Sequence, residues 1–166
     1  MTDLVTAYLG LGSNLGDREG NLERALGLLA QRMRIGKISS IYDTEPMDNT
    51  AQPRFLNMAC EVFTRLAPEG LLALLKGIEA KMGRVGRTGE PRIIDIDILL
   101  YGDRVIETPE LTVPHPQMTQ RQFVLVPLVE IAPNVKHPVA GMTIKQLKKA
   151  LKEVQGVFKW EESQEG

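Results

Sequence analysis

The run "IIDIDILLYG", residues 93–102, places Asp95 and Asp97 two positions apart among branched aliphatic residues. A carboxylate buried without a partner is costly and tends to take up a proton. In an extended strand, side chains two apart share a face, ~7 Å apart along the backbone. Asp95 and Asp97 therefore share a face, together with Ile93, Leu99 and Tyr101, while Ile94, Ile96, Ile98 and Leu100 point the other way into a core. Two carboxylates at this spacing can converge on a divalent ion. Hard oxygen donors suit Mg²⁺, which keeps several waters and takes further ligands from substrate phosphates. The bare Asp-x-Asp pattern also occurs on solvated sheet faces. Here it directly follows "RVGRTGEPR" (84–92), a glycine-containing loop in which Arg84, Arg87 and Arg92 could neutralise phosphate oxygens.

Two further stretches carry candidate chemistry. "GLGSNLGDREGNLERAL" is a glycine-rich turn between a strand and a helix. It lacks the spacing of a Walker loop or a dinucleotide fingerprint, so a tight structural turn is the better reading. "TVPHPQMTQRQFVLVPL" (112–128) sets His115 between two prolines, where a neutral imidazole could donate to a phosphate. Phe55 and Phe123 lie near polar loop residues; core packing is the plainer reading of each, and a flat aromatic ligand sandwiched between them is the sharper one. His137 carries no functional expectation.

The elements that position these residues follow from periodicity. Alternation predicts strands over 4–11, 37–44, 55–64 and 93–102. In 55–64, Leu56, Met58, Cys60 and Val62 face one way, and Phe55, Asn57, Ala59, Glu61 and Phe63 the other. Apolar residues at helical spacing predict one helix through Leu22, Ala25, Leu26, Leu29 and Met33, closed by Gly36. A second runs from Pro68 through Leu71, Leu74, Leu75, Ile78 and Met82, closed by Gly83. The segment 103–125 is turn-rich, a short helix is expected near 143–153, and the polar end should fray. The order strand–helix–strand–strand–helix–strand is that of a ferredoxin-like βαββαβ sandwich. An α+β fold is expected, its antiparallel sheet carrying both helices on one face, with the other face free for a site and a C-terminal extension.

The 166 residues suffice for one domain, 1–166. A net charge of −1 gives no global basic field, so nucleic acid is not an expected partner. The single cysteine, Cys60, excludes a disulfide framework and should be a buried thiol. No apolar stretch approaches the ~20 residues of a membrane span, and no signal peptide is evident. A cytoplasmic monomer is the default.

Taken together, "GLGSNLGD" (10–17), "SSIYDTEP" (39–46), "QPRFLN" (52–57), "EPRIIDIDILLYG" (90–102) and "LTVPHPQMTQRQFVLVPLVEIAP" (111–133) resemble the 6-hydroxymethyl-7,8-dihydropterin pyrophosphokinases of folate biosynthesis. The resemblance implies transfer of the terminal diphosphate of ATP to the hydroxymethyl group of a reduced pterin, leaving AMP. It implies that Asp95 and Asp97 hold two Mg²⁺ ions. Thr44, Pro46, Met47 and Asn57 would line the pterin pocket, with Phe55 and Phe123 stacking on the ring. Glu79, Thr112, His115 and Arg121 would meet ATP, and Arg84 and Arg92 would grip the phosphates. The chain departs from many members at Gly89-Glu90-Pro91-Arg92, where a tryptophan and Gly-Pro-Arg are common. Two rivals from other classes are a ferredoxin-like module that binds a small ligand or RNA without turnover, and a nucleotidyltransferase. The aspartates argue against an RNA-binding sheet, and the distance between the Gly-Ser turn and Asp-x-Asp argues against the nucleotidyltransferase.

Overall fold

The computed structural model describes residues 3–44, 54–83, 92–151 and 156–160. Strand β1 (Val5–Ser13) sends Ala7, Leu9 and Leu11 into a core where they are almost wholly excluded from solvent. Asp17 caps helix α1 (Arg18–Ala30), accepting from the Gly20 N–H at 3.1 Å. The helix buries Leu22, Ala25 and Leu29. Its end at Ala30 precedes the expected stop. Gly36 lies instead inside β2 (Arg34–Ile38), where a Cβ would collide with Glu61 Oε1 and meet Phe63 Cε2 at 2.7 Å.

The strand expected over 37–44 is two strands, β2 and β3 (Tyr42–Thr44), which pair in succession with β4 (Phe55–Thr64). Ser39 makes the break. Its N–H donates to the Ala59 carbonyl at 2.9 Å, while its hydroxyl accepts the Ala59 N–H at 2.9 Å. A side-chain oxygen thus stands in for a strand carbonyl, and the chain can bend without orphaning the amide of β4.

Helix α2 (Pro68–Lys81) starts on a proline, whose missing N–H costs nothing in the first turn, and buries Leu71, Leu75 and Ile78. Beyond it come β5 (Asp95–Tyr101), the short hairpin β6 (Ile106–Glu107) and β7 (Thr112–Val113), and a 3₁₀ turn over Met118–Gln120. Helices α3 (Gln122–Ile131) and α4 (Ile144–Ala150) and strand β8 (Val157–Lys159) follow. The main sheet runs β5-β1-β4-β3-β8, with β2 also on β4, and every pairing is antiparallel. Among the described residues no helix is long and apolar enough to cross a membrane.

Two apolar clusters flank this sheet. One joins α1 and α2 to Leu9, Leu11, Leu56, Met58, Cys60 and Ile96. Cys60 is the buried thiol expected, its pKa pushed up to about 12 by burial. The other cluster joins Leu125, Leu128 and Ile131 of α3 and Ile144 and Leu147 of α4 to Tyr8, Ala59, Leu99 and Leu100. The face expected to be free is therefore covered over part of its area by α3 and α4.

The face assignment along β5 also changes within the strand. Tyr8 pairs with Leu100 but Leu9 pairs with Ile98, so Leu99 is an extra residue. A bulge of this kind breaks the alternation. From Ile94 to Ile98 the expected faces hold, but Ile93, expected beside the aspartates, packs against the α1–α2 cluster, because it precedes the regular strand. Past Leu99 they exchange: Leu100 joins the α3–α4 cluster and Tyr101 the α1–α2 cluster, its hydroxyl donating to the Leu66 carbonyl at 2.6 Å.

Candidate active site

Pairing register places the candidate residues in rows across the sheet. Asp95 stands opposite Gly12, Gly12 opposite Asn57, and Asn57 opposite Tyr42. In the next row Asp97 stands opposite Gly10, and Gly10 opposite Ala59. Residues directly opposite one another share a face, so the carboxylate pair and Asn57 look out from one surface, with two glycines between them. Beyond Asn57, Thr44 pairs with Phe55. The Asn57 Nδ2 donates to Thr44 Oγ1 at 2.7 Å. The Asn57 Oδ1 lies over Gly12 so closely that a Cβ there would sit 2.6 Å from it and 3.5 Å from Phe55 Cδ1. Glycine at this point of β1 is a packing requirement, and it leaves a flat floor between carboxylates and amide.

The carboxylates are tolerable because the apolar run is buried on its other side. Ile94, Ile96 and Ile98 are at most 5% exposed, whereas Asp97 is exposed and Asp95 half-buried. Asp95 Oδ1 lies 3.7 Å from Nη1 of Arg92, whose side chain is almost wholly buried. The start of the strand is held from β1: Asn14 Oδ1 accepts the Arg92 N–H at 2.6 Å, and the Asn14 N–H donates to the Arg92 carbonyl at 3.0 Å. Glu79, buried on α2, accepts the Ile96 N–H at 2.7 Å, between the two aspartates and on the edge of β5 away from β1.

The glycine-rich turn uses its polar side chains within the fold. Besides Asn14, it contains Asp17, the α1 cap, and Gly16 at φ +74°. Asn21 Nδ2 donates to Ser13 Oγ and the Leu15 carbonyl.

A second group assembles along the segment before and into α3. The Val113–Pro114 bond is cis. The His115 N–H donates to the carbonyl of Leu99, the bulged residue, at 3.0 Å. His115 Nδ1 accepts the Gln117 N–H at 3.3 Å, which places the proton of the neutral ring on Nε2. Burial, and then the nearby Arg121 charge, lower the His115 pKa and favour that neutral form. Arg121 donates to Gln117 Oε1, and its guanidinium carbon lies 5.4 Å from the Phe123 ring centroid. Thr112 is exposed on β7, three residues before His115.

Two groups thus form: Thr44, Phe55, Asn57, Arg92, Asp95 and Asp97 on the sheet, and His115, Arg121 and Phe123 on the segment above the bulge. The expectations for Pro46, Met47, Arg84 and Arg87 lie outside the described residues. Asn14, Gly10 and Gly12 were not among the expected site residues. The glycines had a legible signal, since two at alternate positions of an apolar strand mark a close approach.

The donor set fits magnesium. Two carboxylates share a face with no side chain opposite them, and among the described residues no cluster of three or more His, Cys, Asp or Glu forms. Magnesium is commonly held by one or two carboxylates, with water and substrate phosphate completing its shell.

Residues 8–133 match the family model described as 7,8-dihydro-6-hydroxymethylpterin-pyrophosphokinase. The chain belongs to this family. Similar relatives include the 2-amino-4-hydroxy-6-hydroxymethyldihydropteridine pyrophosphokinases of Aquifex aeolicus (44% identical, covering 87% of this chain and 91% of the relative) and Bacillus subtilis (49% identical, 78% and 80%). The folic acid synthesis protein FOL1 of Dictyostelium discoideum is 44% identical over 85% of this chain, which spans only 22% of that protein. Among solved structures, wild-type Plasmodium falciparum HPPK-DHPS superposes with a TM-score of 0.72 at 21% identity, covering 90% of this chain and 45% of that one. That likeness concerns the fold. The family match takes in every described candidate residue, from Thr44 to Phe123.

Proposed function

We propose that this chain transfers the diphosphate of ATP to the hydroxymethyl group of 6-hydroxymethyl-7,8-dihydropterin, releasing AMP, as a step of folate biosynthesis. The observation that supports the reading best is the row Asp95–Gly12–Asn57, in which a carboxylate and an amide side chain share one face of the sheet in a chain of this family. The strand order β5-β1-β4-β3, with α1 and α2 packed on one face, supports a ferredoxin-like core to which α3, α4 and β8 are added.

In this reading Asn57 and Thr44 bind the pterin edge, Phe55 and Phe123 stack on its ring, and Pro46 and Met47 complete the pocket. Neutral His115 donates from Nε2 to ATP, with Thr112, Arg121 and Glu79 also on the nucleotide side. Asp95 and Asp97 hold two Mg²⁺ ions, which when bound neutralise phosphate charge and acidify the attacking alcohol. Arg92, held on its backbone by Asn14 and beside Asp95, presents positive charge where the transferred group is bound, and Arg84 joins it. The chemistry is direct displacement at the β-phosphorus, so the side chains need only align the alcohol, compensate charge and exclude water. No nucleophilic side chain takes part. The same reading makes residues 1–166 one domain that acts as a cytoplasmic monomer, which size-exclusion chromatography and cell fractionation check.

The deciding experiment incubates the protein with ATP, Mg²⁺ and the hydroxymethyl-dihydropterin and identifies the nucleotide product. AMP formed in step with a pterin diphosphate is the expected result. Formation of ADP, or tight pterin binding without any nucleotide product, would replace it with a kinase or a ligand-binding module.

A further inference from the structure

One carboxylate outside the site described above ties its two walls together. Glu130, in the last turn of α3, accepts three hydrogen bonds from the β3 region. The Ser40 N–H reaches Oε1 at 3.0 Å, the Tyr42 hydroxyl reaches Oε1 at 2.7 Å, and the Ser40 hydroxyl reaches Oε2 at 2.9 Å. Both ends of this clamp lead to the pterin pocket. On the helix side, Phe123 lies seven residues before Glu130, about two turns away on the same face of α3. On the strand side, Tyr42 stands opposite Asn57, and Thr44, two residues on, accepts from that amide.

The helix needs such a tie. Pro127 lies inside α3 and has no N–H, so the helix lacks the bond that residue 127 would donate to the Phe123 carbonyl. Leu125, Leu128 and Ile131 anchor the helix through apolar contacts, which resist separation but set lateral position poorly. Three directed bonds to one carboxylate fix it instead.

We propose that Glu130 is a positioning residue for the pterin: by clamping α3 to Ser40 and Tyr42 it sets the distance between the Phe123 ring and the Asn57–Thr44 pocket. This rests on the site reading above. The clamp works through geometry rather than charge. Glutamine at this position keeps one oxygen to accept from the Ser40 N–H and the Tyr42 hydroxyl, and its amino group can donate to the Ser40 hydroxyl, which turns to accept.

The test measures pterin and ATP affinities separately by calorimetry for Glu130→Ala, Glu130→Gln, Phe123→Ala and the double variant Glu130→Ala/Phe123→Ala. A misplaced wall should weaken pterin binding about tenfold in Glu130→Ala, with ATP affinity within about twofold of wild type. Glu130→Gln should recover most of the loss. In the Phe123→Ala background, Glu130→Ala should cost nothing further, because the ring that the clamp positions is already absent. Should Glu130→Ala fail to fold, Tyr42→Phe removes a single bond of the clamp and should give a smaller loss of the same kind. Equal losses for both ligands, additive losses in the double variant, or no rescue by glutamine would each overturn the proposal. Wild-type turnover keeps the two readings apart. If the wild type forms AMP and Glu130→Ala binds pterin normally, the clamp fails and the function stands; if the wild type forms no AMP, the function itself fails.

Discussion

Asn14 and Arg92, far apart in the chain, exchange two hydrogen bonds: Asn14 Oδ1 accepts the Arg92 N–H at 2.6 Å and the Asn14 N–H donates to the Arg92 carbonyl at 3.0 Å. The side chain of Asn14 thereby extends the β1–β5 ladder by one residue past its regular end. Asn14→Ala removes the acceptor and should destabilise the fold by about 1–3 kcal/mol. It should also lower turnover, since Arg92 and Asp95 both hang from this point. Urea denaturation beside steady-state kinetics checks this; a variant with wild-type stability and wild-type turnover would show that the ladder needs no such extension.

The two aspartates should respond alike in activity and differently in stability. Asp95→Asn and Asp97→Asn each remove a metal-type ligand, which should lower turnover by more than about a hundredfold. Asp97 is exposed, so its loss should move the thermal midpoint less than that of Asp95. Asp95 lies 3.7 Å from the buried Arg92 guanidinium, so its loss should cost about 1 kcal/mol. Turnover comparable to wild type in either variant at saturating Mg²⁺ would defeat the metal assignment.

Gly12→Ala should damage the pterin side of the site first. Its Cβ would sit 2.6 Å from Asn57 Oδ1, and that amide is pinned to Thr44, so it cannot withdraw without breaking the 2.7 Å bond. The expected cost is about 1–3 kcal/mol of stability, with a larger loss of affinity for pterin than for ATP. Gly10→Ala makes a fair comparison, because its Cβ would meet Leu99 at 3.4 Å, an ordinary contact. Equal destabilisation by the two alanines would mean that strand propensity, not the approach to Asn57, governs Gly12.

Stability should fall on both sides of neutrality for separable reasons. Burial, aided by Glu61 and Glu130 respectively, pushes Tyr8 and Tyr42 up to about 12, and burial does the same to Cys60. The folded state keeps these protons where the unfolded chain loses them, so the stability they contribute is present below pH 9–10 and is lost as pH rises toward 12. In the acid direction, burial lowers His115 and His137, with Arg121 adding to the effect on His115. Burial alone would raise Glu130, but the bonds from Tyr42 and Ser40 outweigh it and hold the carboxyl below its usual value. These groups contribute stability that is present above pH 6.5 for the histidines and 4.5 for Glu130 and is lost on acidification. Urea midpoints across pH should trace both flanks. Tyr42→Phe should flatten the alkaline one, and an unchanged slope in that variant would remove Tyr42 from the account.

Alternation read the sheet well where strands are regular. It separated Asp95 and Asp97 from Ile96 within one strand, and Asn57 from Leu56 and Met58 within another, because each residue's face depends only on its neighbours in the chain. It failed at Leu99, where the extra residue arises from how Tyr8 and Leu9 pair with β5. Helix α3 was missed for another reason. "QFVLVPLVEI" is apolar nearly all round and contains a proline, so it shows no amphipathic stripe, and its buried setting between sheet and α4 is a tertiary fact. The contact between Tyr42 and Glu130 spans 88 positions, and no local pattern announces it. Within the site, types of chemistry were legible from side chains and the two glycines carried a signal of close approach, whereas the Asn14 tie became visible only once strands had partners.

The bulge at Leu99 behaves as an expansion joint. Upstream of it, gaining or losing one residue between Arg92 and Ile98 would turn Asp95 and Asp97 into the core and bring isoleucines out to the wet face. Downstream, between Leu100 and Arg104, the same length change meets a strand whose register has already been reset, and the carboxylates stay where they are. Tolerance to insertion and deletion should therefore switch at Leu99. Removing Leu99 itself carries a separate penalty, because its carbonyl is the one that receives the His115 N–H. An irregularity of one residue thus insulates the row of Asp95 and Asp97 from drift in the distal strand and moors the His115 segment to the same sheet.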